Sequence, residues 1–170
     1  MIGDMEKGSY KMFSQTVMML LMSASLGTGE VVGTAAARGG GALLVDNTLI
    51  RLAGISAPGV IQYCENAGRV LYACGRLSEE ALASIVAGRR VTCKLLPENR
   101  EVGSCSVANQ DIAEALLQNG YVVTSRSGTS LRYRQLAKSA KRARRGLWQG
   151  RFLHPEDWAV GVQKFPVVRQ

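Results

Sequence analysis

The stretch at 38–59, RGGGALLVDNTLIRLAGISAPG, constrains the fold of this chain more than any other. Apolar residues alternate on both sides of Asp46-Asn47, and the β-branched Val45, Thr48 and Ile50 lie close to that pair. The segment therefore reads as two strands joined by a tight turn. Asparagine at the second turn position tolerates the positive φ that a two-residue hairpin loop requires. The second strand places the permanently charged Arg51 between Ile50 and Leu52, whose side chains face the other way. A loop closed by Ala57-Pro58 follows.

The remaining elements assemble around this hairpin. Residues 30–37 (EVVGTAAA) read as a first strand with a glycine inside it, the sign of a bend or bulge. The hairpin strands cover 42–45 and 48–54, while 56–69 lacks a clear period and reads as a loop. Leu77, Ala81, Leu82 and Ile85 recur at helical spacing, which predicts a helix over 75–87 with Gly88 as its stop. Alternation returns at 90–96; Pro97-Glu98-Asn99 then turns the chain into another strand at 100–107. Asn109-Gln110-Asp111 gives a turn and helix cap before a short helix over 112–118 that Asn119-Gly120 closes, and 121–124 is extended. A basic helix over 131–145 ends at Gly146, with Leu136, Ala140, Ala143 and Leu147 as its narrow apolar stripe and Trp148 against the core beside it. From Arg151 the tail packs through Phe152 and Trp158, and the terminal FPVVRQ is expected to be loose. Three strands, a helix, two strands and a helix is the order of an oligonucleotide/oligosaccharide-binding (OB) barrel. The expected fold is α+β and rich in β: one five-stranded OB barrel with about three helices.

Composition narrows the partner. A net charge of +8 favours a polyanion: nucleic acid, acidic polysaccharide or an anionic membrane surface. Arg134, Lys138, Lys141, Arg142 and Arg145, with Arg132 and Arg144, make the 131–145 helix a basic surface, and no acid occurs between Glu114 and Glu156. At 6% aromatic residues, with Tyr63, Tyr72, Tyr121 and Tyr133 as the stacking platforms, a single-stranded nucleic acid is not strongly favoured.

Residues 1–25 read as an export signal: Lys7 and Lys11 form a positive flank, 12–22 an apolar core, and Ser23-Ala24-Ser25 a small-residue cleavage region. The apolar run is short for a membrane span and is interrupted by Ser14, Gln15 and Thr16. Its removal takes away two acids and two bases, leaving the net charge at +8. Expected location is the periplasm or the exterior. Cys64, Cys74, Cys93 and Cys105 form an even set, as in an oxidised exported domain. Local bridges, Cys64 to Cys74 and Cys93 to Cys105, are the simplest of the three connectivities that four cysteines allow. Zinc fits poorly, because no CxxC spacing occurs and His154 is the one histidine.

From about residue 31 to 158 the chain resembles the thermonuclease (staphylococcal nuclease-like) family, in its exported bacterial branch. The resemblance rests on linked motifs in order: IRLAGISAPG at 50–59, Cys74-Gly75, Val91-Thr92-Cys93, Cys105, DIAEALLQNGY at 111–121 and ARRGLW at 143–148. It implies calcium-dependent hydrolysis of phosphodiesters. In that chemistry a carboxylate-held metal binds the phosphate, a glutamate handles the attacking water, and two arginines grip the phosphate bidentately.

Against the family pattern, Arg51 matches the first phosphate-binding arginine and Arg100 the second. The metal-binding aspartates fall on Gly41 and Ser56, and the glutamate falls on Gly59. Strand alternation sets Glu101 opposite Arg100, and Asp46 lies at the far hairpin turn. Calcium is thus implied by the family while its ligands are absent, so no cofactor or metal is expected.

The expected function is that of a non-catalytic exported domain binding a polyanion or a protein partner. Its alternatives are an accessory role in acidic (succinoglycan-type) exopolysaccharide synthesis, and weak phosphodiester hydrolysis. The expected organisation is a signal peptide at 1–25, the domain at 26–158 and a loose tail at 159–170; oligomeric state is not read.

Overall fold

The computed structural model describes residues 29–161. The export-signal stretch at 1–25 and the terminal FPVVRQ fall outside the described residues. The first three strands are β1 (Glu30–Ala37), β2 (Ala42–Val45) and β3 (Thr48–Leu52). Three two-residue strands follow: β4 (Ile55–Ser56), β5 (Cys64–Glu65) and β6 (Leu71–Tyr72). Then come α1 (Cys74–Val86), β7 (Arg90–Leu96), β8 (Asn99–Val107), β9 (Gln110–Asp111) and α2 (Ile112–Gln118). The chain closes with β10 (Val123–Thr124), α3 (Leu131–Arg142), a 3₁₀ turn at Gly146–Gln149 and α4 (Pro155–Ala159).

The main sheet runs β3-β2-β1-β7-β8-β9, and a parallel pairing of β3 with β8 closes its first five strands into a barrel. The closing register sets Arg51 beside Val102 and Leu52 beside Gly103. Asp46 and Asn47 both take positive φ, 41° and 67°, as the hairpin turn requires. Within the hairpin, Leu43 opposes Ile50 and Ala42 opposes Arg51. The period of two therefore sends Leu43, Val45, Ile50 and Leu52 into the core and leaves Leu49 and Arg51 outside. These residues meet Leu82 and Val86 of α1 and Leu116 and Leu117 of α2 in one buried cluster. Each buried leucine or isoleucine there contributes roughly 1.5–3 kcal/mol.

Of the three connectivities, the structure has the local one, Cys64–Cys74 and Cys93–Cys105. The second bridge joins directly opposed residues of β7 and β8. The first ties β5 to the N-terminus of α1 and, with Val123 and Leu147, centres a small second core flanked by Trp148 and Phe152.

Several sequence-based expectations change. The segment 56–69 is not wholly loop, because β5 pairs with β6 and β4 with β10. The inner face of α1 is Ser78, Leu82 and Val86, while Leu77 is 38% exposed. The helix α3 stops at Arg142 instead of 145, and Arg144 takes φ 51°. Ala143 is accordingly exposed and Ala137 takes its place in the buried stripe. The tail forms a short fourth helix, α4, whose N-cap is His154: its Nδ1 accepts from the Glu156 amide at 3.3 Å. No helix among the described residues is long and apolar enough to cross a membrane.

Candidate functional site

A cleft of about 430 Å³ opens between the start of β2, the outer face of β3 and the 55–60 segment. It brings together Gly41, Arg51, Ser56 and Gly59, all from the 38–59 stretch. The barrel explains the convergence. Register places the start of β2 beside Arg51, and β4, carrying Ser56, is held against Val123 of β10. The rest of the lining is mainly apolar, including Leu49, Ile55, Ala57, Pro58 and Val60. No carboxylate lines the cleft; its charged members are Arg38 and Arg51.

Two of the small residues are enclosed. A Cβ on Gly59 would overlap the indole ring of Trp158: Cζ3 lies nearest, and Cε3 and Cη2 would each stand 2.6 Å away, too close for any side chain. A Cβ on Gly41 would sit 3.1 Å from that of Ala57. The backbone behind the cleft is equally tight, since a Cβ on Gly75 would overlap the Gly59 carbonyl. Gln62, 1% exposed, fastens this arrangement: its Oε1 accepts from the Gly59 amide at 3.1 Å and its amide nitrogen donates to the Leu153 carbonyl at 2.8 Å. The loop is thereby tied to the segment that carries α4 and Trp158.

The cleft's electrostatics are modest. Arg51 donates to the Glu101 carboxylate at 3.5 Å, and both side chains are about two-thirds or more exposed, 67% and 73%. Alternation along β8 sets Glu101 against Arg100; the closing β3–β8 pair nevertheless lets Glu101 reach Arg51. Such an exposed pair holds its geometry weakly. Arg100 is exposed and does not line the cleft. The glycine run does not offer its amides freely, because the Gly39 amide donates to Glu79 of α1 at 2.9 Å. Asp46 stays at the hairpin turn, accepting from the Thr34 hydroxyl at 3.4 Å.

Nor do Arg134, Lys138, Lys141, Arg142 and Arg145, the expected basic surface, gather on the cleft, since none lines it. The Arg134 guanidinium donates to the Thr129 carbonyl at 3.0 Å and that of Arg145 to the Gln118 carbonyl at 3.1 Å. Lys141 Nζ stands 5.3 Å over the Trp148 ring. Lys138 and Arg142 are exposed. Arg132 is paired with Glu114 at 3.1 Å.

A second pocket, of about 720 Å³, lies beside Gly54, Asn99, Val102 and the N-terminus of α3. Its polar centre is acidic: the Tyr133 hydroxyl donates to Asp111 at 2.8 Å and the Ser104 hydroxyl at 3.3 Å, with Glu98 also on the wall. Burial, then the Asp111 hydrogen bond and charge, push the Tyr133 phenol well above its ordinary value. Tyr133 is thus a fixed neutral donor and the pocket repels anions.

A model of the staphylococcal nuclease homologue family matches residues 49–150, more than half of the chain. The chain belongs to that family. A search of curated proteins gave no match. The family's calcium is tested by the donors present. Calcium takes several oxygen ligands, ideally carboxylates. The cleft offers one serine hydroxyl among its aligned positions, and Trp158 fills the space beyond Gly59. Among the described residues no group of three His, Cys, Asp or Glu side chains is placed to hold a metal. These residues do not fit calcium. Sequence reading missed Trp158, Gln62, Glu79 and the Arg51–Glu101 contact. Trp158 was visible only as an apolar residue in the tail; nothing in the linear pattern linked it to Gly59.

Proposed function

We propose that this is an exported, non-catalytic nuclease-fold domain that binds a polyanion. The single observation that carries this reading is the composition of the cleft. Arg51 keeps the position of a phosphate-binding arginine, while Gly41, Ser56 and Gly59 supply neither metal ligand nor base. Hydrolysis of a phosphodiester needs an activated water and a means of stabilising charge on the phosphoryl oxygens. A cleft holding arginines without carboxylates can attract the substrate's charge and can do nothing further to it. The two disulfides suit an oxidising compartment. On this reading residues 1–25 are the export signal, 26–158 the domain and 159–170 a tail.

The test is binding of a fluorescein-labelled oligonucleotide or long polyuronate across a salt series, with Arg51→Ala and Arg100→Ala. Affinity should fall steeply with salt and weaken in Arg51→Ala, and less in Arg100→Ala, which lies outside the cleft. Undetectable or salt-insensitive binding would overturn the proposal.

A further inference from the structure

A third pocket, of about 370 Å³, lies between the β5–β6 hairpin and the end of α3, with Arg69, Arg144, Arg151, Glu65, Asn66 and Trp148 among its lining. None of these residues lines the cleft. Arg151 is neutralised there, since its guanidinium meets the Glu65 carboxylate at 2.6 Å. Arg69 and Arg144 are exposed, and among the described residues neither pairs with a carboxylate. Lys141, over the Trp148 ring, adds a neighbouring positive charge.

The backbone singles out the same two arginines. Arg69 has φ 61° and Arg144 φ 51°, in the left-handed region where glycine is the unstrained choice. Arg69 lies in the turn between β5 and β6, and Arg144 follows the C-cap of α3, where the Arg144 amide donates to the Lys141 carbonyl and the Arg145 amide to the Ala140 carbonyl, so both angles belong to ordinary turn and helix-end geometry. The two turns bring both arginines to one pocket, and each supplies a side chain able to bind an oxyanion bidentately.

We propose that this pocket binds a carboxylated sugar residue of an acidic glycan. At about 370 Å³ it lies at the small end of ligand pockets, which start near ~300 Å³, so it suits one saccharide unit. Asn66 uses its carbonyl oxygen on the Gly68 and Val70 amides, at 2.9 and 3.0 Å, which leaves its NH₂ for a sugar hydroxyl. Nucleic acid fits less well. Binding single strands calls for open aromatic faces. Trp148 is instead engaged, by Lys141 over its ring and by Phe152 edge-on at 5.1 Å between centroids. The proposal is separate from the cleft reading, and neither depends on the other.

The experiment is a ¹⁵N NMR titration of the domain with a uronate disaccharide, with the dinucleotide pTpT as a competing probe. The disaccharide should shift pocket resonances saturably. The double variant Arg69→Gly/Arg144→Gly, which places glycine where the backbone favours it and so keeps the fold, should weaken binding about tenfold or more. Arg89→Gln/Arg90→Gln removes the same charge elsewhere and should change affinity less than about threefold. An equal loss in the Arg89/Arg90 variant would show unspecific charge attraction and overturn the proposal. So would preference for pTpT, or no saturable shift.

Discussion

The cleft and the arginine pocket make an instructive pair. The cleft lies between the hairpin and the 55–60 loop and is lined mostly by apolar and small residues. Its arginine is shared with Glu101. The arginine pocket lies elsewhere and holds two guanidinium groups, Arg69 and Arg144, without acid partners among the described residues, beside the paired Arg151 and Glu65. The barrel fixes where a site can form, and individual side chains decide what it does; the two are inherited separately.

Breaking the element common to both regions should have the largest effect. Cys64 lies beside Glu65 of the pocket, and Cys74 begins the helix that packs against Gly59. The Cys64→Ser/Cys74→Ser variant should lose about 2–5 kcal/mol in urea unfolding and loosen both regions in hydrogen exchange. Loosening of only one would separate them. Next, Gly59→Glu forces a side chain into the Trp158 ring and should cost about 1–3 kcal/mol or more. That cost should shrink in a Trp158→Ala background, a coupling that a double-mutant cycle measures. Additivity would show that Trp158 does not plug the position.

A smaller effect comes from acid. Burial first, and then the charge of Arg126, hold the His154 imidazole below its ordinary 6.5. Folding thus releases protons, so this contribution to stability is complete above about pH 6.5 and is lost as pH falls toward the lowered folded value. Protonation also turns the Nδ1 that caps α4 from an acceptor into a donor. Unfolding midpoints followed from pH 7 to 5 should fall, and His154→Asn, which keeps an acceptor, should flatten that slope. An unchanged slope would remove His154 from the account. The smallest effect belongs to Glu101→Gln. It should alter stability by no more than ~0.5 kcal/mol and still raise polyanion affinity at low salt by freeing Arg51. A drop in affinity would show that Glu101 positions Arg51 for binding.

Much of the frame was legible in the chain. The Asp46-Asn47 turn, the alternation in β7 and the Asp111 cap each follow from local chemistry, and the structure has all three. The site was legible only as a set of positions. Gly41, Ser56 and Gly59 could be counted off from Arg51, but the indole beyond Gly59 comes from a residue about a hundred positions later. Glu101 was placed by alternation within one strand, whereas its contact with Arg51 arises from closure of the barrel between β3 and β8. The early stop of α3 turned on a single backbone angle at Arg144, where an arginine carries no sequence signal for positive φ.

The central claim is that the cleft binds charge and does not cleave. It is tested most directly by incubating the purified domain with single-stranded DNA and RNA in calcium, with and without chelator. The account predicts no cleavage that depends on calcium. Degradation that proceeds in calcium, stops with chelator and disappears in Arg51→Ala would contradict it.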